Sequence, residues 1–214
     1  MLLAFELVAV TVFAITGVVT AVEKNLDIFG ATVLGLCTSV GGGIIRDILL
    51  GYLPPSAFRN PIYSITAIIA SLLCFIIISV AGDKIEKHNE VYSQVINVID
   101  SVGLAIFTIG GVDTAIKNGF GGNLYLSVFV GLMTGVGGGV MRDVMVGKIP
   151  MIFHKRIYAL AALPGAIAYQ IIMENNLLGD YLSFILCALL IFVIRMLATI
   201  FRWNLPKVKR KSKK

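Results

Sequence analysis

Two short charged motifs stand in an otherwise apolar chain: Arg46-Asp47 and Arg142-Asp143, each just after a run of three glycines, Gly41, Gly42, Gly43 and Gly137, Gly138, Gly139. A charged side chain in the middle of a bilayer costs at least about 2.5–3.5 kcal/mol on insertion scales, so these four must be paired, hydrated or at an interface. Equal numbers of plus and minus suit neutral pairs across a symmetry axis, Arg46 with Asp143 and Arg142 with Asp47. The other reading is that they mark helix ends, where arginine reaches up to the interface. Three adjacent glycines cost a helix about 1 kcal/mol each relative to alanine. Spaced small residues serve close helix packing, but an unbroken triplet points in three directions around the axis. The expectation is therefore a break or kink at each triplet that bares backbone carbonyls, tolerable only in a protein interior or beside a wet cavity.

The chemistry such a place offers is partial replacement of an ion's hydration shell by carbonyls, hydroxyls and a few carboxylates. Thr38, Ser39 and Thr134 lie beside the triplets, and Asp100 and Asp113 are acids inside apolar stretches; these five are the candidate ion contacts. Asp100 has an alternative place in the first turn of its helix, where a carboxylate favours the N-terminus. Arg195 is either a counter-charge to one of these acids or an interface residue. Catalysis is not expected: His88 and His154 fall in loops with no neighbouring nucleophile, and the triplets lack the lysine-serine pair of a phosphate-binding loop. The lone Cys37, Cys74 and Cys187 make no metal-ligand spacing and read as small apolar residues. No cofactor is expected, only a permeant ion and bound lipid.

The elements that must hold these residues are membrane helices. Hydrophobic residues make up 57% of the 214-residue chain and charged residues 14%, and the mean hydropathy is +0.91; an ordinary globular chain carries about 25% charged residues. A span needs about 20 mostly apolar residues. Seven fit, at 3–23, 28–50, 61–82, 93–116, 122–146, 157–174 and 181–201, with a kink expected at Pro164. The first, with Glu6 and no basic lead, reads as a permanent span rather than a cleaved signal. From Arg202 the tail holds seven basic residues and no acid, which reads as a cytoplasmic segment touching anionic lipid rather than as a nucleic-acid arm. With that tail inside, Lys24, Lys84, Lys87, Arg142, Lys148, Lys155 and Arg156 fall on the cytoplasmic side, and only Arg46, Arg59 and Lys117 outside. The N-terminus is then outside.

A repeat organises the whole. GGGIIRDILLGYLP at 41–54 returns as GGGVMRDVMVGKIP at 137–150, and the match continues from Ile62 and Ile157. Upstream, Phe13 onward parallels Phe107 onward, a register that sets Glu6 on Asp100 and Thr20 on Thr114. Each copy holds three spans, an odd number, so the second must enter the bilayer from the opposite face. The expected architecture is an all-α integral membrane protein: a first repeat at 1–90, an inverted repeat at 91–178, a seventh helix at 179–203 and a basic tail at 204–214.

Paired GGGxxRD segments in the second span of each three-span unit, then a seventh span and a basic tail, resemble the prokaryotic trimeric intracellular cation (TRIC) channels, also catalogued as a glycine-transporter domain. The resemblance runs from about Phe5 to Arg202. It implies a homotrimer in the inner membrane of a prokaryote, each protomer with its own pore permeable to potassium, sodium and other monovalent cations. It implies that helices kinked at Gly41–Gly43 and Gly137–Gly139 line that pore, with Arg46, Asp47, Arg142 and Asp143 at the motif positions. The lysine-rich lipid motif of animal members is not evident. Two rivals remain beside the channel: a carrier of a small amino acid such as glycine, and a scaffold whose glycines only pack helices.

Overall fold

The computed structural model describes residues 2–81, 89–154, 158–201 and 203. The basic residues Lys84, Lys87, Lys155 and Arg156 and the tail 204–214 lie outside these.

The helices are α1 (Leu2–Glu23), α2 (Ile28–Leu49), α3 (Ser56–Arg59), α4 (Ile62–Ala81), α5 (Asn89–Ala115), α6 (Leu124–Met145), α7 (Met151–His154), α8 (Ala162–Glu174) and α9 (Asp180–Ile200). Among the described residues, six of them are long and apolar enough to cross a membrane: those covering Leu3–Glu23, Ile28–Leu49, Ile62–Ala81, Gln94–Phe120, Leu124–Met145 and Asp180–Ile200. The span expected at 157–174 is shorter, a turn of tight helix at Ala159–Ala161 leading into α8. Pro164 lies just past the junction of that turn with α8. It stands in the first turn of α8, where a missing N–H and a fixed φ suit the helix.

Corresponding helices of the two copies begin and end alike. Asp27 caps α2 by accepting from Gly30 N at 2.7 Å, and Asn123 caps α6 by accepting from Leu126 N at 3.0 Å; both side chains satisfy an N–H the helix leaves open. Both helices end on a left-handed glycine, Gly51 at φ 71° and Gly147 at φ 68°, a conformation open to glycine at no steric cost.

The interior mixes polar groups into an apolar core, and the outer helix faces are apolar as lipid requires. Polar groups such as Thr38, Asp100, Thr108, Asp113, Thr134 and Arg195 are buried, while Ile65, Ile69, Leu73 and Val80 of α4 and Leu182, Leu186, Leu189 and Val193 of α9 are exposed. The largest apolar cluster joins Leu104, Ile109 and Val112 of α5 to Tyr169 of α8 and Phe184 and Ile191 of α9. Buried hydroxyls turn back on their own helix, as when Thr38 donates to Leu34 O at 2.6 Å and Thr134 to Val130 O at 2.7 Å.

No break interrupts the triplets: α2 and α6 run through Gly41–Gly43 and Gly137–Gly139 as continuous helix. The three directions of each triplet are each used. A Cβ on Gly41 would strike Met141 Sδ, and one on Gly137 would lie 2.9 Å from Ile45 Cδ1. A Cβ on Gly42 would collide with the Thr134 carbonyl and one on Gly138 with the Thr38 carbonyl. The third glycines have more room: a Cβ on Gly43 would lie 3.9 Å from Arg46 Nη2, and one on Gly139 would lie 3.6 Å from the Tyr158 hydroxyl and 3.8 Å from Arg142 Nη2. Small residues here let two backbones touch. The facing pairs, 38 with 138 and 42 with 134, run in opposite senses, so α2 and α6 cross antiparallel.

Candidate functional site

Arg46 and Arg142 each occupy the last turn of their helix, where a cation meets the carbonyl end of the dipole. Each first donates to the neighbouring aspartate: Arg46 Nε to Asp47 Oδ1 at 2.8 Å, Arg142 Nε to Asp143 Oδ1 at 3.0 Å. Each then reaches a carboxylate on the first helix of its own copy, Arg46 Nη1 to Glu6 Oε1 at 3.4 Å and Arg142 Nη1 to Asp100 Oδ1 at 3.0 Å. The second aspartate oxygen accepts the first backbone N–H of the short helix that follows, Ser56 N of α3 at 2.7 Å for Asp47 and Met151 N of α7 at 2.9 Å for Asp143. One motif thus makes one device twice: the aspartate ties down the loop and aims the guanidinium, and the guanidinium neutralises an acid 40 or 42 residues upstream.

The cross-axis pairs expected from the sequence, Arg46 with Asp143 and Arg142 with Asp47, do not form. The antiparallel crossing lies at the glycines, before the charges, so the two C-terminal turns diverge to opposite ends of the bundle. Asp100 is three turns into α5 rather than in its first turn, which places it beside Arg142.

The sequence had set Glu6 and Asp100 in register, and that register held the signal for their shared role. The tyrosines were missed, although the Ile62 and Ile157 alignment sets Tyr63 on Tyr158. Tyr63 donates to Glu6 Oε2 at 2.5 Å. Tyr158 is buried among Asp100, Arg142 and Arg195, with the Arg195 guanidinium 4.8 Å over its ring. Arg195 is 1% exposed and donates to Asn97 Oδ1 at 2.8 Å and Thr199 Oγ1 at 2.9 Å, so it joins the second cluster from α9 rather than reaching an interface.

The two clusters differ in what lies beside them. At the first, a cavity of about 310 Å³ is lined by Leu3, Phe5, Glu6 and Tyr63, by Asp113 of α5 and Lys117 of the wide helical turn Ile116–Phe120 that continues it, and by Tyr169, Asp180, Tyr181 and Phe184. A pocket of about 30 Å³ shares Glu6 and Tyr63 and adds Ser39, Gly43, Arg46 and Asp47. Asp113 is fully buried, held by Lys117 Nζ at 2.7 Å and the Tyr169 hydroxyl at 2.8 Å. Of the candidate ion contacts, Ser39 therefore lines the small pocket and Asp113 the large cavity. Thr38 and Thr134 are packed in the glycine crossing, and Asp100 is enclosed in the second cluster. The cysteines are free, and Cys187 packs in the apolar cluster with Tyr169 and Phe184.

The comparisons with known proteins follow this organisation. A family model described as glycine transporter matches residues 3–79 and again 97–174, one match per copy. The UPF0126 inner membrane protein YadS of Escherichia coli K12 is 38% identical over 77% of this chain and 75% of its own length. The UPF0126 membrane protein YvgT of Bacillus subtilis 168 is 30% identical over 94% and 93%. Among solved structures, the TRIC trimeric intracellular cation channel orthologue from Rhodobacter sphaeroides superposes with a TM-score of 0.84 at 26% identity, over 94% of this chain and 98% of that one. A prokaryotic TRIC channel in 0.5 M KCl superposes at 0.82 with 33% identity, over 95% and 98%. Carrying the family's unit twice and sharing the fold of the TRIC cation channels along nearly its full length, the chain belongs to the glycine-transporter family of UPF0126 membrane proteins, that of the prokaryotic TRIC channels.

Proposed function

We propose that this protein is a potassium-permeable monovalent cation channel of a prokaryotic inner membrane, working as a homotrimer with a pore in each protomer. The observation that carries the reading is the state of the two arginines. Bare guanidinium groups beside a pathway would repel cations, and here each faces two carboxylates within 3.4 Å. The likeness to channels whose names specify cation conduction and a trimer supports the ion class and the assembly. The pathway passes the faces of α2 and α6 as unbroken helices, beside Ser39, Gly43 and Arg46, rather than through baked-in breaks.

Seven crossings as two inverted repeats plus α9 complete the proposal. Lys148, after α6, pairs with Glu23 at the end of α1 at 2.7 Å, while Arg142 near the end of α6 pairs with Asp100 in the first half of α5. These contacts support opposite directions for α1 and α5. Tyr158 lies by the second cluster and Tyr169 by the cavity at the first, which supports α8 as a crossing despite its length. The basic tail favours the cytoplasm for the C-terminus and the outside for the N-terminus; the first cluster is then outer and the second inner.

A second reading, a carrier for a small zwitterion such as glycine, is favoured by the family's description and by a cavity holding both Lys117 and Asp180. Reconstitution in planar bilayers separates the two. The channel gives unitary currents that reverse near the potassium equilibrium potential in a KCl gradient. Currents that follow chloride, or slow saturable glycine counterflow without unitary steps, would overturn it.

A further inference from the structure

Among the described residues the inner cluster holds two guanidinium groups for its two aspartates, while the outer one holds one for two acids. Arg142 pairs with Asp100 and Asp143, and Arg195 stands over the ring of Tyr158 that also faces Asp100, whereas at the other end Arg46 pairs with Glu6 and Asp47. The missing charge has a location. Arg195 is received by Asn97 and by the ring of Tyr158, which also faces Asp100. In the repeat register those three positions are Leu3, Tyr63 and Glu6, and all three line the outer cavity of about 310 Å³. The cavity is thus the counterpart of the place that the protein's own guanidinium fills at the other end. α9 lies outside the repeat, so it supplies a cation to one end only.

We infer that the outer cavity is a binding site for a monovalent cation, held by Glu6 and the face of Tyr63 where Arg195 stands in the inner half. Asp180 adds a further negative charge to the cavity wall, and Lys117 is already engaged by Asp113. The guanidinium at the inner end is bulky and weakly hydrated, and a cation over an aromatic face gains most when partly desolvated. The site therefore suits potassium, rubidium or a small organic ammonium or guanidinium ion. Among the described residues no three acidic, histidine or cysteine side chains converge as a divalent metal requires. The inference rests on the channel reading for its role as an entry site, but binding is measured without current.

The test is thermal unfolding of the full chain in detergent at constant ionic strength, with potassium exchanged for N-methyl-D-glucamine. Potassium is expected to raise the midpoint by on the order of 2–4 °C, and Glu6→Gln to abolish the shift. Leu3→Arg, which tethers a cation in the cavity, is expected to raise the midpoint in both salts, remove the potassium dependence and reduce outer-side block of the current by methylguanidinium. An absent shift in the unaltered chain, or one that survives Leu3→Arg, would overturn the site. Potassium currents without the shift would sink the site and leave the channel; the shift without unitary currents would sink the channel and leave the site.

Discussion

The first and second copies hold the same Arg-Asp device in different surroundings. In the second, the side chains of Arg142, Asp100 and Asp143 are 3%, 1% and 6% exposed, packed under α8 and α9. In the first, Glu6 is 19% exposed and opens onto a cavity. Duplication made the motif, but the helices added around it decided whether it became a sealed structural pair or one that meets solvent. A buried carboxylate stripped of its counter-charge is expensive, whereas one beside water is rehydrated. The same substitution at equivalent positions should therefore give unequal results.

The largest contrast is expected at the arginines. Arg142→Met leaves Asp100 and Asp143 buried and uncompensated, and should cost about 3–5 kcal/mol. Arg46→Met should cost less than half as much, because Glu6 keeps Tyr63 and the cavity. Thermal or urea unfolding of the two variants in one detergent measures this, and equal losses would break the comparison.

Next come the glycines, where the copies should agree. Gly42→Ala and Gly138→Ala push a methyl into a facing carbonyl and should each cost about 1–3 kcal/mol; together they should change conductance or open probability. Gly43→Ala and Gly139→Ala have room and should be neutral or slightly stabilising. Damage at Gly43 or Gly139 equal to that at Gly42 would mean the third glycine serves something other than clearance.

The smallest effects lie at two lysines near the ends of helices. Lys117→Met removes the counter-charge of the buried Asp113, which keeps only Tyr169 and the cavity, and should cost about 1–2 kcal/mol. Lys148→Met breaks an exposed pair with Glu23 and should cost under about 1 kcal/mol, fading with added salt. Unfolding at low and high salt distinguishes the two.

Much of this was legible in the residues. Hydropathy placed the long helices, because apolar length is a local property. Identity at fixed offsets showed which positions are equivalent, including Glu6 with Asp100. The partners of the arginines were not legible. The inverted repeat implied opposite directions for α2 and α6, but spacing alone does not say that they cross at their glycines, which carries Arg46 away from Asp143 and onto Glu6. The packing of the triplets was hidden for a related reason: a lone helix only loses by having glycines there, and the gain appears when Thr38, Thr134, Ile45 and Met141 press against them.

The amino-acid sequence by itself determined the solvent the chain lives in, its duplicated unit and the residues that carry charge, since each follows from composition and from local repetition. Only the tertiary structure decided which charges meet, that the glycine helices stay whole, and that a cavity opens at one end while Arg195 fills the other. These depend on helices brought together from distant parts of the chain, above all on α9, which has no counterpart in the repeat.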